Sequence, residues 1–211
     1  MKKKYQVFIS STYNDLKEER IAITHQLLKM DCIPVGMEQF PASNMSQMQY
    51  IKTILDDCDY YILILAGRYG SLDYDGVGFT EKEYDYAIEK GIPVMSFVVR
   101  DIKKLPYEKC EENDEYRQKL DNFRKKVCRD RLVEFYTTCG ELQAAVVSSL
   151  VRCFRDYPSE GWIRGDNNEL PVELEEKIER YMQKHTISKD DIDKLFTSEE
   201  IVLDCGDASC S

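Results

Sequence analysis

Short apolar runs alternate along the chain with stretches in which apolar residues recur every three or four positions. Tyr5–Ser10 is an apolar run that stops at Ser10-Ser11-Thr12. Beyond it Leu16, Ile23, Leu27 and Met30 share one face at spacings of seven, four and three, which predicts a helix. Cys32–Val35 predicts a second short strand, and Met48, Ile51 and Leu55 mark a helix within Met45–Asp57. Tyr60–Ala66 reads YYILILA, the continuous hydrophobe of a central strand buried on both faces. A glycine-rich turn, Gly67–Gly78, leads to a short helix over Thr80–Lys90, which Gly91 stops from the C′ position. Ile92–Val99 is another buried strand. Tyr116, Leu120, Phe123 and Val127 form the stripe of a charged helix over 112–129, Leu132–Tyr136 is a fifth strand, and Leu142–Tyr157 is a closing helix before Pro158.

This alternation predicts an α/β fold, a five-stranded parallel sheet covered by helices on both faces. Ligands of such sheets bind at the carboxyl ends of the strands. After Asp166-Asn167-Asn168, a natural hinge, two amphipathic helices are expected at Pro171–Lys184 and Ser188–Phe196. The expected layout is an α/β domain over 1–164, a C-terminal helical appendage over 165–202 and a disordered tail over 203–211.

Composition narrows the class. The chain is 43% hydrophobic and 32% charged, as in a folded globular protein. No apolar run approaches the roughly 18 residues of a membrane span, and Val7-Phe8-Ile9 is too short for a signal-peptide core. A cytoplasmic protein without a membrane partner is therefore expected. The net charge is −10, with 11 acidic and 5 basic residues in 171–211, which argues against DNA or RNA as a partner. The eight cysteines include no CxxC pair and there are only two histidines, so no metal site is expected and the cysteines read as reduced thiols.

Three strand-ends carry residue types suited to phosphate and ribose. Ser10, Ser11, Thr12 and Tyr13 follow the first strand, where hydroxyls and free amides at a helix N-terminus suit a phosphate. Thr12 and Asp15 also have the spacing of an ordinary capping box. In Gly67-Arg68-Tyr69-Gly70-Ser71, Arg68 suits a phosphate, Tyr69 could stack on a ring, and the glycines allow close backbone approach. Glu38 and Phe40, after the second strand, are further candidates for ligand contact. Glu83 lies in Phe79-Thr80-Glu81-Lys82-Glu83-Tyr84, facing the crevice from a first helical turn. A carboxylate there can hold ribose hydroxyls and stabilise an oxocarbenium-like centre as a glycosidic bond breaks. Thr80 and Glu83 equally form a capping-box pair. Glu18-Glu19-Arg20 reads as a solvated charged face, with a structural ion pair of Arg20 as the alternative, and His25 as structural.

The blocks VFISSTYNDLKEER, MEQFPA, DCDYYILILAGRYGS, GFTEKEYDYAIEKGIPV and ELQAAVVSSLVRCFRDYPSEGWIR occur in this order over residues 4–164. Together they resemble a TIR-like family of unknown function that opens many bacterial defence and NTPase-linked proteins. That family is similar to the wider Toll/interleukin-1 receptor (TIR) superfamily, so the resemblance implies a flavodoxin-type three-layer sandwich. Many TIR domains cleave NAD at the nicotinamide–ribose bond, giving ADP-ribose or a cyclic isomer. Their catalytic glutamate sits in a W-C-x-x-E-L-x-x-A setting. Glu83-Tyr84-Asp85-Tyr86-Ala87 occupies that frame, with Phe79-Thr80-Glu81 nearby instead of the Trp-Cys pair. The resemblance thus implies Glu83 as catalytic residue and the Ser10–Tyr13 loop, Phe79 and Thr80 as part of the nucleotide site.

The Glu83 block also resembles nucleoside deoxyribosyltransferases, in which a glutamate attacks the sugar. The leading expectation is an NAD-cleaving or NAD-cyclising enzyme of bacterial antiphage immunity, with NAD as substrate and no cofactor. It would work as a homo-oligomer, with a partner defence protein, or both. A non-catalytic assembly module and a nucleoside or nucleotide N-glycosidase or transferase are the alternatives.

Overall fold

A computed structural model describes residues 3–37, 44–164 and 180. The chain separates into two compact units, Met1–Arg164 and Gly165–Ser211. In the second unit only Arg180 is described, and it is helical. The predicted appendage helices and the tail 203–211 otherwise lie outside the described residues.

The first unit is built on five parallel strands: β2 (Gln6–Ser10), β3 (Ile33–Val35), β4 (Tyr60–Leu65), β5 (Val94–Val99) and β6 (Val133–Tyr136). Their spatial order is β3-β2-β4-β5-β6. Counted within this sheet alone, that is 2-1-3-4-5, the flavodoxin-type order. The connecting helices are α1 (Lys17–Lys29), α2 (Gln47–Asp56), α3 (Phe79–Glu89), α4 (Asp114–Asp130) and α5 (Cys139–Asp156).

Successive strand side chains point to opposite faces, and the two cores divide accordingly. Tyr60, Ile62 and Ile64 of β4 pack with Ile23 and Leu27 of α1 and with Leu142, Val146 and Leu150 of α5. Tyr61, Leu63 and Leu65 face the other way, onto Ile51 and Leu55 of α2, Tyr84 and Ala87 of α3, and Phe123 and Val127 of α4. All six residues of β4 are buried, which is why its sequence is continuously apolar instead of alternating. The fold is therefore the expected three-layer α/β sandwich.

Helix ends follow local chemistry in part. Gly91, at φ +73°, ends α3 from the C′ position, its N–H reaching Ile88 O at 3.1 Å. A capping box of Ser46 and Gln49 opens α2, and Thr138 caps α5. Thr12 and Asp15, by contrast, form no cap. Helix α1 begins only at Lys17, with Leu16 at the N-cap and no side-chain hydrogen bond there.

A two-stranded antiparallel ribbon, β1 (Lys3–Lys4) with β7 (Trp162–Ile163), was not expected. Two-residue strands have no periodicity to detect. The ribbon is secured by Asp59, whose carboxylate accepts from Gln6 N at 2.8 Å, Ser159 Oγ at 2.6 Å and Gly161 N at 3.0 Å. Tyr60 Oη donates to Tyr157 O at 2.9 Å, and Tyr5 packs edge-on against the Tyr60 ring.

Candidate active site

A cavity of about 620 Å³ opens at the carboxyl ends of β2 and β4. The connections leave this strand pair in opposite directions, which is where flavodoxin-type sheets bind ligands. The loop after β2 supplies Ser11, Thr12, Tyr13, Asn14 and Asp15, and α1 supplies Arg20. The loop after β4 supplies Arg68, Gly70 and Ser71, and the start of α3 supplies Phe79 and Thr80. Met37, Gln47, Glu111 and Tyr116 close the remaining sides.

Glu83 is not a lining residue and does not face the open crevice as expected. It sits in the second turn of α3, only 1% exposed, with its carboxylate turned toward the end of β2. Ser10 Oγ donates to its Oε2 at 2.5 Å. Its Oε1 is buried with no hydrogen-bond partner among the described residues. Burial pushes the Glu83 carboxyl up from its ordinary 4.5 to about 7, against the opposing Ser10 hydrogen bond and the Arg20 charge. The Tyr61 hydroxyl is buried nearby; burial and then the Glu83 charge raise its pKa well above the usual tyrosine range. The Thr80–Glu83 capping box does not form, because α3 starts at Phe79 with Gly78 as N-cap. Thr80 lines the cavity one turn earlier on the helix, so Glu83 is close to the wall without being part of it.

Arg20 is not solvated. It is 3% exposed and falls in the stripe of Leu16, Ile23 and Leu27. Its guanidinium donates to Ile9 O at 3.1 Å and Ser11 Oγ at 2.9 Å, bracing the end of β2. Its position four residues after Leu16 and three before Ile23 was the signal that it belongs to the buried face.

The Arg68–Tyr69 pair splits. Arg68 lines the cavity; it donates to Glu108 O at 2.8 Å, while its Nε is buried with no partner among the described residues. Tyr69 is turned into the core and is unavailable for stacking. It is 4% exposed, its ring packs edge-on against Tyr116 and Phe123, and its hydroxyl donates to Glu81 at 2.6 Å while accepting from Gly78 N at 3.1 Å. The two glycines admit neighbouring chain instead of ligand. A Cβ on Gly67 would lie 2.3 Å from Lys109 O, and one on Gly70, at φ +90°, would lie 2.7 Å from Thr12 Cγ2.

Tyr13, half exposed, and Phe79, half buried, are the aromatic rings that the structure brings to the cavity from the predicted set. Ser11, Thr12 and Thr80 line it, while Ser10 lies beneath with Glu83. Glu38 and Phe40 lie outside the described residues. Sequence reasoning missed Asp15 as a wall residue, having read it as a helix cap. It also missed Glu111, whose loop position carries no periodic signal, and Tyr116, which it read only as part of the apolar stripe of α4. Among the described residues no group of three His, Cys, Asp or Glu side chains is placed to hold a metal ion, and no helix is long and apolar enough to cross a membrane.

The model of a family described as Domain of unknown function (DUF4062) matches residues 6–151, a span that includes both the FISST…ER and the RYG…FTEKEY blocks. No curated protein matches the chain. Among solved structures, the chain is similar to "Structure of the activated Roq1 resistosome directly recognizing the pathogen effector XopQ (TIR domains)". That match is 13% identical and covers 87% of this chain and 99% of that one, with a TM-score of 0.38. The fold assignment stands on strand order and connectivity. With more than half of its length inside the family match, the chain belongs to the DUF4062 family of domains of unknown function.

Proposed function

We propose that this domain breaks the nicotinamide–ribose N-glycosidic bond of NAD, with Glu83 as the catalytic residue. The observation that carries the reading is the Glu83 carboxylate, buried beside the strand-end cavity with one oxygen held by Ser10 and the other unpartnered among the described residues. A buried acceptor without a partner is costly and calls for a ligand donor. A ribose hydroxyl supplies one. As the bond from the anomeric carbon to the nicotinamide nitrogen breaks, its electron pair leaves with the nicotinamide. The sugar carbon becomes oxocarbenium-like, and the Glu83 carboxylate stabilises that charge in a low-dielectric setting. Water then adds to the carbon and loses a proton, giving ADP-ribose. Arg68 and the amides of the Ser11–Tyr13 loop hold the pyrophosphate, and Phe79 or Tyr13 lies against a ring.

Glu83 reaches substrate only when the wall beside Thr80 yields. In line with the resemblance to TIR-like defence domains, the proposal includes assembly, alone or with a defence partner, as the trigger for that opening. A carboxyl near pKa 7 also retains a proton to lend at neutral pH, which favours a second reading. A nucleoside or nucleotide glycosidase needs such a proton on its leaving base, whereas nicotinamide departs neutral without one.

The test is to incubate concentrated protein with NAD, and separately with nucleosides and nucleotides, and to follow free nicotinamide or base by chromatography. Wild type should release nicotinamide and Glu83→Gln should not. Equal inertness of the two proteins under assembly-promoting conditions would sink the enzymatic reading. Release of base from nucleosides, with NAD untouched, would transfer the chemistry to the second.

A further inference from the structure

Asp15 is a second buried carboxylate of the cavity, and the chemistry proposed for Glu83 leaves it without a task. It lines the cavity wall at 1% exposure, and among the described residues its oxygens have only the Thr12 hydroxyl and its own backbone N–H close by, neither in good hydrogen-bond geometry. Helix capping does not account for it, because α1 starts beyond it with no side-chain cap. Ion pairing does not account for it either. Arg68 acts on Asp15 through its charge, but its guanidinium hydrogen-bonds to Glu108 O. Glu19, one turn on, adds a like charge, although Lys109 pairs with it at 3.3 Å. Burial raises the Asp15 carboxyl above the usual range, while the Thr12 hydroxyl, its own backbone N–H and the Arg68 charge favour its ionised form. A group held this way in a cavity wall has its partner in the ligand.

The partner's chemistry follows from the donors required. An ionised carboxylate only accepts, and it offers two oxygens side by side. A vicinal diol presents two hydroxyl donors at the matching spacing. The buried Arg68 Nε, in the lining of the same cavity, is a donor without an acceptor among the described residues. A carboxylate for a diol next to a guanidinium for a phosphate oxygen describes a ribose phosphate.

We infer that Asp15 receives the 2′,3′-diol of a ribonucleotide, with Arg68 on the adjoining phosphate, and so selects ribo- over 2′-deoxyribonucleotides and rejects a 2′-phosphate. The inference rests on the nucleotide reading of the cavity and deepens it. With Glu83 serving the ribose that carries the scissile bond, Asp15 serves the ribose at the adenine end of NAD. A 2′-phosphate at that position would set a dianion against a buried carboxylate.

The experiment is calorimetric titration of the full chain with ADP, 2′-deoxy-ADP and adenosine 2′,5′-bisphosphate, for wild type and Asp15→Asn, with melting temperatures of both. Wild type should bind ADP about 10-fold or more tighter than either analogue, the range of one hydrogen bond to a charged group. Asp15→Asn should pull the ratio for the bisphosphate toward one. It should also raise the melting temperature, because it removes a carboxylate whose burial outweighs its stabilising contacts. Equal wild-type affinity for ADP and 2′-deoxy-ADP overturns the inference whatever the variant does. So does a folded Asp15→Asn protein with wild-type discrimination, or one whose melting temperature falls. NAD cleavage that depends on Glu83 but shows no preference against NADP overturns the role of Asp15 alone. A chain that neither binds ADP nor cleaves NAD overturns both readings.

Discussion

Glu83→Gln should stabilise the protein in alkaline solution and leave it unchanged in acid. The folded state holds the Glu83 proton with a pKa near 7, while the unfolded chain holds it near 4.5. Between those values the folded protein binds more protons than the unfolded one, so stability falls as pH rises through that window and is level for this group above it. At about 1.36 kcal/mol per pH unit, the loss is about 3 kcal/mol at 25 °C. Gln removes the ionisation but keeps a carbonyl oxygen to accept from Ser10, whose hydroxyl now holds Oε2 at 2.5 Å. The variant should therefore exceed wild type by up to about 3 kcal/mol near pH 8 and match it near pH 4. Urea unfolding of both proteins across this range measures the difference, and other titrating groups, Asp15 included, cancel in it. A flat difference, or a variant less stable than wild type at the alkaline end, would falsify the claim that Glu83 is an uncompensated buried carboxylate. It would also remove the physical basis for its proposed reactivity.

Three further outcomes are expected. Arg20→Met keeps the length of the side chain but loses the hydrogen bonds to Ile9 O and Ser11 Oγ, and should cost about 2–4 kcal/mol in denaturant unfolding. It also removes a charge that favours ionised Glu83, so the pH profile of any Glu83-dependent turnover should move to higher pH; an unmoved profile in folded protein refutes that coupling. Gly70→Ala places a Cβ 2.7 Å from Thr12 Cγ2 on a backbone at φ +90°, and should cost about 1–3 kcal/mol while weakening nucleotide binding at the displaced Thr12 loop. Wild-type stability and affinity together would contradict it. Asp59→Ala leaves the amides of Gln6 and Gly161 without their acceptor, and should cost about 2 kcal/mol with faster amide exchange at Gly161. Unchanged exchange there would mean that Asp59 does not hold the β1–β7 ribbon.

The order of strands and helices was written in the local pattern of the chain. A run such as Tyr60–Leu65 is buried whole in a central strand, and a stripe such as Leu120, Phe123 and Val127 reappears as the packed face of α4, because burial on both faces of a strand gives a continuous apolar run and burial of one helix face a period of 3.6, both visible from neighbours alone. Gly91 ended α3 as expected for the same local reason. The candidate site was legible only as a location, the strand-ends of a parallel sheet, and as a set of residue types. Which of those side chains meet was decided by contacts between residues far apart in sequence. Thr12 with Asp15, and Thr80 with Glu83, have the spacing of capping boxes, yet neither box forms. Glu83 instead takes the hydroxyl of Ser10, 73 residues away, and Asp15 lies in the cavity wall with no well-formed hydrogen bond among the described residues. Tyr69 and Arg68 are adjacent in sequence, but one is sealed in the core by Tyr116 and Phe123 while the other lines the cavity. Sequence spacing specifies what a side chain can reach on its own helix. Only the packed sheet determines which buried polar groups are satisfied by the protein and which, like the second oxygen of Glu83, have no hydrogen-bond partner among the described residues.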